Sequence, residues 1–409
     1  MGLRLIAVKV LLLENIHENA VTTLTQAGFE VEQRAGALDE DELIEALAGV
    51  SVLGIRSKTQ VTARVMEACP DLLAVGAFCI GTNQIDLSAA SEQGVAVFNA
   101  PYSNTRSVVE LVVAEIISMA RRLTVRNDAM HRGVWDKSAS GSHEVRGRTL
   151  GIVGYGNIGS QLSVLAESLG MKVFFYDVDD KLALGNATRC DSLGELLASV
   201  ETVTLHVDGR TGNAGIFGAE QFAQMQPRSL FLNLSRGFVV DHHALRDALT
   251  SGHLAGAAVD VFPSEPKSNN EPFSSPLQGL DNVILTPHVG GSTQEAQEHI
   301  GYYVGGKIVD FLTAGNTSMS VNLPLVVTEN HAAAGSARRI LHLHHNVPGV
   351  LARMNQLLAD IDVNIDRQNL ATRGELGYVV TDISGEDLDS LTDKLVTLPE
   401  TIRLRTVDA

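Results

Sequence analysis

The sequence predicts an α/β protein: two parallel-sheet domains followed by a small ferredoxin-like domain. Three observations carry that prediction. Apolar runs alternate with helical patterns in two successive series, a glycine-punctuated strand, turn and helix opens the second series, and about seventy C-terminal residues restart with period-two alternation.

In the first series, apolar runs near 7–13, 29–33, 51–55, 72–76 and 95–98 are separated by helical patterns near 16–27, 39–48, 61–68 and 86–92. That rhythm makes a parallel sheet covered on both faces, with function on the loops beyond the carboxyl ends of its strands. Two such loops stand out, one from Ile55 through Arg56, Ser57 and Lys58 to Thr59, the other from Gly76 to Asn83. Arg56 and Lys58 read either as solvated loop cations or, after a strand in an acidic protein, as anion ligands. A polar turn from Asn99 to Ser107 then leads into a helix over 108–123 that is apolar on nearly every face, which predicts burial between layers. Asn104 and Arg106 stand at its start. Residues 124–147 are more polar and hold the only tryptophan, Trp135, beside charged residues, which reads as an interface or a local core contact.

The second series opens at Thr149-Leu-Gly-Ile-Val-Gly-Tyr-Gly-Asn-Ile-Gly159. Gly154, Gly156 and Gly159 have the G-x-G-x-x-G spacing: the first allows the tight turn, the second lets backbone approach a pyrophosphate, and the third lets helix and strand pack closely. The helix carries Ile158, Leu162, Leu165 and Leu169 on one stripe, and the next strand, 172–176, runs into Asp177. An acid there accepts hydrogen bonds from the ribose hydroxyls and repels a 2'-phosphate, so the cofactor expected is NAD rather than NADP. Apolar segments near 149–153, 172–176, 202–207, 230–233, 256–259 and 283–285 complete a Rossmann sheet of six parallel strands. Loops at 233–237, 259–266 and 286–291 follow three of these strands. A helical stretch near 293–312 and a loop through Pro324 return the chain towards the first domain.

The tail reads as βαββαβ. It has strands from Arg338 to His344, near 363–370, 376–383 and 402–407. Pro348 stands at the N1 position of a helix with Val350, Leu351, Met354, Leu357 and Leu358 on its stripe, and a second helix lies near 386–397 with Leu388, Leu391 and Leu395. Residues 325–337 read as the linker.

Composition narrows the partners. A formal net charge of -17 and a pI near 5.2 argue against nonspecific nucleic-acid or anionic-membrane binding, so an anionic substrate needs a local cationic pocket. Cys69, Cys79 and Cys190 fit no metal or C-x-x-C pattern and read as reduced thiols. The run from Leu3 to Leu13 is broken by Arg4 and Lys9 and reads as a strand, not a signal peptide, and Ile6 stands where a myristoylation signal wants Ser or Thr. The cytoplasm is the compartment expected.

Oxidising a secondary alcohol with NAD needs a base for the hydroxyl proton, a group that tunes the base, and a cation for the developing carbonyl or carboxylate. His288, Glu265 and Arg236, on three strand-end loops of one sheet, supply those types. A carboxylate beside the imidazole raises its pKa and fixes its tautomer. In the tail, His342 and His344 share a strand face, which admits a metal reading, but no acid or cysteine completes a site.

Gly151-Ile-Val-Gly-Tyr-Gly-Asn-Ile-Gly159, Leu234-Ser-Arg-Gly237, Ala258-Val-Asp-Val-Phe-Pro-Ser-Glu-Pro266 and Thr286-Pro-His-Val-Gly-Gly-Ser-Thr293 resemble the D-isomer-specific 2-hydroxyacid dehydrogenases. The similarity is closest to the bacterial branch that acts on 3-phosphoglycerate and carries a C-terminal ACT domain; it includes Gly81-Thr-Asn-Gln84, Asn99-Ala-Pro101 and Ser103-Asn-Thr-Arg-Ser107. The resemblance implies a flavodoxin-like substrate domain (1–103 and 291–325) with the NAD-binding Rossmann domain (104–290) inserted, then the ACT regulatory domain (336–409). It implies Arg236 on the substrate carboxylate, Glu265 as partner acid and His288 as acid/base. The cofactor would be held by Gly154, Gly156, Asn157, Ile158, Gly159, Asp177, Leu234, Ser235, Arg236, Asp260, His288 and Gly291. Arg56, Ser57 and Asn104 would hold the substrate, and His344, Asn346 and Asn364 an L-serine effector at an interface shared between subunits of a homotetramer. No metal is implied. Gly335-Ser336-Ala337 departs from the glycine pair of the branch, which puts the hinge before the tail in question. Two other readings stay open on the residues: a dehydrogenase of a non-phosphorylated acid or 2-oxoglutarate, and a nonenzymatic NAD-sensing scaffold.

Overall fold

The computed structural model describes residues 8–266, 271–328, 337–361, 363–384 and 388–408. The expected linker over 325–337 and the Gly335-Ser336 pair lie mostly or wholly outside these residues, as do Met1, Gly2 and the run before Val8. Two compact units result, one from the described residues up to Ser103 and from Gln297 onward, the other from Asn104 to Ala296.

The first unit holds β1 (Lys9–Leu12), β2 (Glu30–Gln33), β3 (Val52–Ile55), β4 (Ala74–Ala77) and β5 (Ala96–Asn99), all parallel in the order β2-β1-β3-β4-β5. This is the flavodoxin-like order. Val10 and Leu12 enter one core and Leu11 and Leu13 the other, so one apolar run feeds both faces through its period of two. The helix Gln294–Ala314 puts Ile300, Val304, Ile308 and Phe311 into the first of these cores. Gly76 permits that contact: a Cβ there would lie 2.8 Å from Ile308 Cδ1 and 2.9 Å from Val304 Cγ1. The chain beyond this helix is fastened to β5 by the Val321 N–H on the Val97 carbonyl at 2.9 Å and by one buried side chain. Asn322 accepts the Val97 N–H at 2.9 Å and donates to the Val95 carbonyl at 2.8 Å.

The second unit holds β6 (Thr149–Val153), β7 (Lys172–Tyr176), β8 (Thr188–Arg189), β9 (Thr202–Leu205), β10 (Ser229–Asn233), β11 (Leu254–Val259) and β12 (Val283–Leu285). They pair in parallel in the order β12-β11-β10-β9-β6-β7-β8, a Rossmann sheet with its topological switch between β6 and β9. The expected six strands become seven because two exposed residues, Thr188 and Arg189, pair on the edge of β7. The helix expected over 108–123 spans Thr105–Ala120 and is not apolar all round: Arg106 and Glu110 are exposed, and Glu115 is buried. Arg122, in the left-handed region at φ 52°, ends that helix, and a second one, Leu123–His131, buries no residue.

The tail, within the first unit, forms β13 (Ala337–His345), β14 (Asn364–Arg373), β15 (Leu376–Ser384) and β16 (Thr401–Asp408), antiparallel in the order β14-β15-β13-β16. Helices Val350–Ala359 and Leu388–Val396 flank it, and Ile340, Met354, Val379 and Leu391 share a core. Pro348 is not at N1: Gly349, at φ 90°, is the N-cap, so the proline precedes the helix. The other sheet face is not open, because Leu341, Leu343, Tyr378 and Val380 join the core of β1 and the Gln294–Ala314 helix. Arg405 lies over the Phe311 ring and donates to the Phe311 carbonyl at 3.1 Å, and Tyr378 donates to the Gly315 carbonyl at 2.9 Å. No helix among the described residues is long and apolar enough to cross a membrane.

Replacing Asn322 by alanine leaves the Val97 N–H and the Val95 carbonyl buried without this partner, and removal of such bonds costs about 2–3 kcal/mol. Asn322→Ala should therefore lower the denaturant midpoint of the intact protein. A midpoint equal to wild type would mean that this asparagine does not fasten the returning chain.

Candidate active site

The cofactor turn is shaped by what a side chain would strike. A Cβ on Gly154, at φ +93°, would lie 2.6 Å from the His206 carbonyl oxygen, and one on Gly159 would lie 2.2 Å from the Gly154 carbonyl oxygen. These two glycines let β6 turn straight into the helix Asn157–Ser168. Gly156, by contrast, has no atom within 4 Å of a built Cβ. It caps a helix that has no side-chain cap, so the first N–H groups, from Asn157 and Ile158 onward, are left without a capping side chain, as an anion site requires. Across the sheet, Asp177 accepts the Tyr155 N–H at 2.7 Å and the Asp179 N–H at 2.9 Å, which fixes its carboxylate at the end of β7. An uncapped helix start, open space above Gly156 and an acid on the adjacent strand fit a dinucleotide with an unphosphorylated ribose.

The loop after β10 is ordered by Asn233, to which sequence reasoning gave no role. Its Oδ1 accepts Ser235 Oγ–H at 2.8 Å and Ser235 N–H at 3.1 Å, while its Nδ2 donates to the Arg236 carbonyl at 3.1 Å. Leu234 and Ser235 are buried and Arg236 half-buried. Gly237 lies hard against the next loop, since its Cβ would fall 2.0 Å from the Phe262 carbonyl carbon. That contact holds the Arg236 loop beside the Glu265 loop.

Glu265 and His288 are paired. The imidazole Nδ1–H donates to Glu265 Oε2 at 2.8 Å, and Glu265 Oε1 accepts the Phe262 N–H at 3.0 Å. Burial alone pushes the Glu265 carboxyl up, but its hydrogen bonds from His288 and Phe262 and the charges of His288 and Arg236 together hold it below the ordinary value. The His288 imidazole is held above the ordinary value, chiefly by the hydrogen bond to Glu265, with burial opposing. His288 stands at φ 54°, a conformation bulky side chains avoid, and its N–H donates to the Asp260 carbonyl at 2.8 Å. The buried Asp260 carboxylate accepts Thr286 Oγ1–H at 2.6 Å, Val289 N–H at 2.8 Å and Gly290 N–H at 2.9 Å. Expected near the cofactor, this residue fastens the histidine turn. Just beyond, a Cβ on Gly291 would fall 2.2 Å from Asn104 Nδ2, and the Asn104 Oδ1 is buried without a hydrogen-bond partner.

Arg56 and Ser57 lie in the first unit, after β3. Their loop is held by Glu14, whose carboxylate accepts the N–H groups of Lys58 and Thr59 at 3.1 and 2.8 Å, and by Gln84, which donates to the Arg56 carbonyl at 2.5 Å. Glu14 gave no sequence signal because it supports the loop from a distant strand end.

The tail residues are not brought together within one chain. His344 is only 3% exposed; its Nδ1–H donates to the His345 carbonyl at 2.8 Å and its Nε2 is buried without a partner. Asn346 donates to the Gly374 carbonyl at 3.2 Å, whereas Asn364 pairs with Ser384 in the sheet register and Ser384 with Ala337. Asn346 and Asn364 therefore sit at opposite ends of the sheet, about 30 Å apart at the rise of a strand. His342 is engaged by Thr401 Oγ1 at 2.8 Å and Met354 Sδ at 3.2 Å, and burial pushes its pKa down to about 3. No group of three potential metal-ligating side chains occurs among the described residues.

Comparison with known proteins places this geometry. Residues 113–290 match the D-isomer specific 2-hydroxyacid dehydrogenase NAD binding domain, and residues 340–403 match an AHAS small subunit-like ACT domain. The chain is 51% identical over 399 residues to D-3-phosphoglycerate dehydrogenase of Haemophilus influenzae, covering 97% of each chain. It is 49% identical over 401 residues to the enzyme of the same name from Escherichia coli K12, again covering 97% of each. Among solved structures, D-2-hydroxyisocaproate dehydrogenase superposes with a TM-score of 0.70 at 25% identity, covering 77% of this chain and 99% of that one.

The pairing makes a titration prediction. In the intact protein, histidine-selective NMR should find His288 titrating above the ordinary imidazole value of about 6.5. Glu265→Gln, which keeps an acceptor but removes the charge, should move it down. A His288 pKa at or below that value in wild type, or one unmoved by the substitution, would dissolve the electrostatic coupling inferred here.

Proposed function

The chain belongs to the D-isomer specific 2-hydroxyacid dehydrogenase family, and from that premise we propose that it oxidises 3-phospho-D-glycerate to 3-phosphohydroxypyruvate, the first step of L-serine biosynthesis, under feedback inhibition by L-serine. It is an NAD-dependent oxidoreductase. The observation that carries the proposed chemistry is the His288–Glu265 hydrogen bond of 2.8 Å on loops at the carboxyl edge of the cofactor sheet.

Bound NAD supplies the hydride acceptor. His288 Nε2 takes the proton of the substrate hydroxyl, and Glu265, on Nδ1, stabilises the imidazolium that forms. Arg236 is suited to hold the substrate carboxylate, since its guanidinium stands on the adjoining loop. Because the pair raises the His288 pKa, the protonated form persists to higher pH. Ketone reduction, which needs that proton, should fall as pH rises through this pKa, and alcohol oxidation should rise. Arg56, Ser57 and Asn104 are assigned to the phosphate and hydroxyl groups.

The assembly we propose is a homotetramer in the cytoplasm, a reducing compartment in which Cys69, Cys79 and Cys190 stay reduced. Trp135 is 78% exposed beside exposed Val134 and Met130, which supports a second copy covering this arm. The distance between Asn346 and Asn364 supports a serine site built from two tails.

Two measurements test this reading. NADH oxidation should be fast with 3-phosphohydroxypyruvate, and Arg56→Ala should reduce kcat/KM for it about tenfold or more while affecting 2-oxoglutarate less, because only the former brings a phosphate dianion to a charge-assisted contact. Equal losses for both acids would remove Arg56 from the phosphate site, and turnover of 2-oxoglutarate alone would move the enzyme to another substrate. L-Serine should inhibit the intact enzyme, and Asn346→Ala should abolish inhibition without lowering uninhibited turnover. Absence of serine binding by calorimetry would leave the tail a structural domain.

A further inference from the structure

A cavity of about 600 Å³ opens at the amino edge of the cofactor sheet, where nothing above assigns a function. Arg148 precedes β6, Glu201 precedes β9, Ser229 opens β10, and Asp281 stands just ahead of β12; all line it, as do Arg122, Arg228 and His143. The cofactor turn and the reaction loops follow the carboxyl ends of the same strands, so this cavity lies at the other edge of the sheet.

Its arginines stand where turn chemistry asks for glycine. Arg122, at φ 52°, follows the C-cap Arg121 of the Thr105–Ala120 helix, the position at which helices commonly end in a left-handed glycine. Arg228, at φ 66°, is the third residue of the turn from Gln226 to Ser229; Pro227 is second, and the Ser229 N–H closes the turn onto the Gln226 carbonyl at 3.2 Å. A positive φ after proline in such a turn is again the glycine position. Both backbones thus accept a disfavoured conformation for a long cationic side chain, and both side chains border one cavity.

The charges there are not all paired. Arg148 and Glu201 meet at 3.1 Å. The Arg122 guanidinium donates to the Ser140 carbonyl at 3.3 Å, and neither Arg122 nor Arg228 has a carboxylate partner among the described residues. Asp281 and the terminal carbonyls of the Thr105–Ala120 helix oppose an anion, but one carboxylate and the fraction of a charge on the helix end stand against two guanidinium groups without carboxylate partners. Ser229 Oγ, in a residue 1% exposed, and the Arg148 Nε are both buried without a hydrogen-bond partner on this lining.

We propose that this cavity is a second anion site of the cofactor domain, taking a phosphate dianion, free or as a small monoester, between Arg122 and Arg228 with Ser229 as a further donor. The site is separate from the reaction edge, so its occupancy is readable while the cofactor is bound.

The test is calorimetry on the full-length protein saturated with NADH, titrated with inorganic phosphate in one arm and glycerol 3-phosphate in the other. The comparison is the double variant Arg122→Gly/Arg228→Gly, whose glycines suit both backbones and should leave thermal stability and turnover intact. At least one arm should reveal a site in wild type that weakens about tenfold or more in the variant, the expectation for losing charge-assisted hydrogen bonds. Identical isotherms from the two proteins in both arms, or no binding by wild type in either, would overturn the proposal and leave the arginines as turn residues only. Ser229→Ala, which removes one buried hydroxyl and no charge, should weaken the same site by a smaller factor; an unchanged affinity would remove Ser229 from it.

Discussion

The carboxyl edge of the NAD-binding sheet depends on one buried carboxylate. Asp260 follows β11 directly and accepts three hydrogen bonds from the turn that follows β12, so two neighbouring strand ends are tied through a single side chain. Its carbonyl takes the His288 N–H as well, and the left-handed backbone of His288 persists because both ends of the turn are fixed. A turn relaxed to ordinary geometry would aim the imidazole elsewhere. The general physical point is that strain at one residue survives where its surroundings over-determine it.

The same carboxylate has a cost that the fold distributes. Glu115, 3% exposed on the Thr105–Ala120 helix, has neither carboxylate oxygen paired, and burial, then the charge of Asp260, push its pKa up to about 8. At neutral pH it is held as the neutral acid, so a single negative charge rather than two occupies this part of the interior. Linkage then gives a sign: a carboxyl with a folded pKa above its unfolded value favours folding when protonated, a contribution fully present below about 4.5 and lost progressively as pH rises to about 8.

Much of this was legible in the sequence because periodicity and glycine spacing are local. Most strands of both parallel sheets and of the tail were read within one or two residues, since buried parallel strands are continuous apolar runs and the tail alternates; β14, expected to end near 370, runs on to Arg373. The Gly154, Gly156 and Gly159 spacing reported a backbone requirement directly. Local reading failed where the cause was distant. Thr188 and Arg189 become a strand only because β7 has an unpaired edge, and Glu115 was passed over in a helix read as apolar on nearly every face. Glu14 and Asn233 carry no motif, yet each orders a loop through backbone hydrogen bonds. Arg122 and Arg228 gave no sequence signal, because sequence does not display the sign of φ.

The tail shows how folding constrains regulation. An isolated ferredoxin-like sheet has one face free, but here Leu341, Leu343 and Tyr378 bury that face against the core of the first unit. Arg339 pairs with Asp382 at 2.6 Å and also donates to the Ala314 carbonyl at 3.0 Å, at the end of the Gln294–Ala314 helix. Arg403 reaches the Leu72 carbonyl at 2.6 Å; burial first, then the charge of Arg405, pull its pKa down to about 10. These bonds place the tail in direct mechanical contact with the ends of β4 and of the long helix. A ligand on the outer surface of the tail changes activity only if its affinity differs between two arrangements of those contacts. Buried guanidinium contacts resist gradual deformation, because each is either made or left desolvated. Coupling through this interface is therefore expected to be a discrete repacking rather than a graded bend.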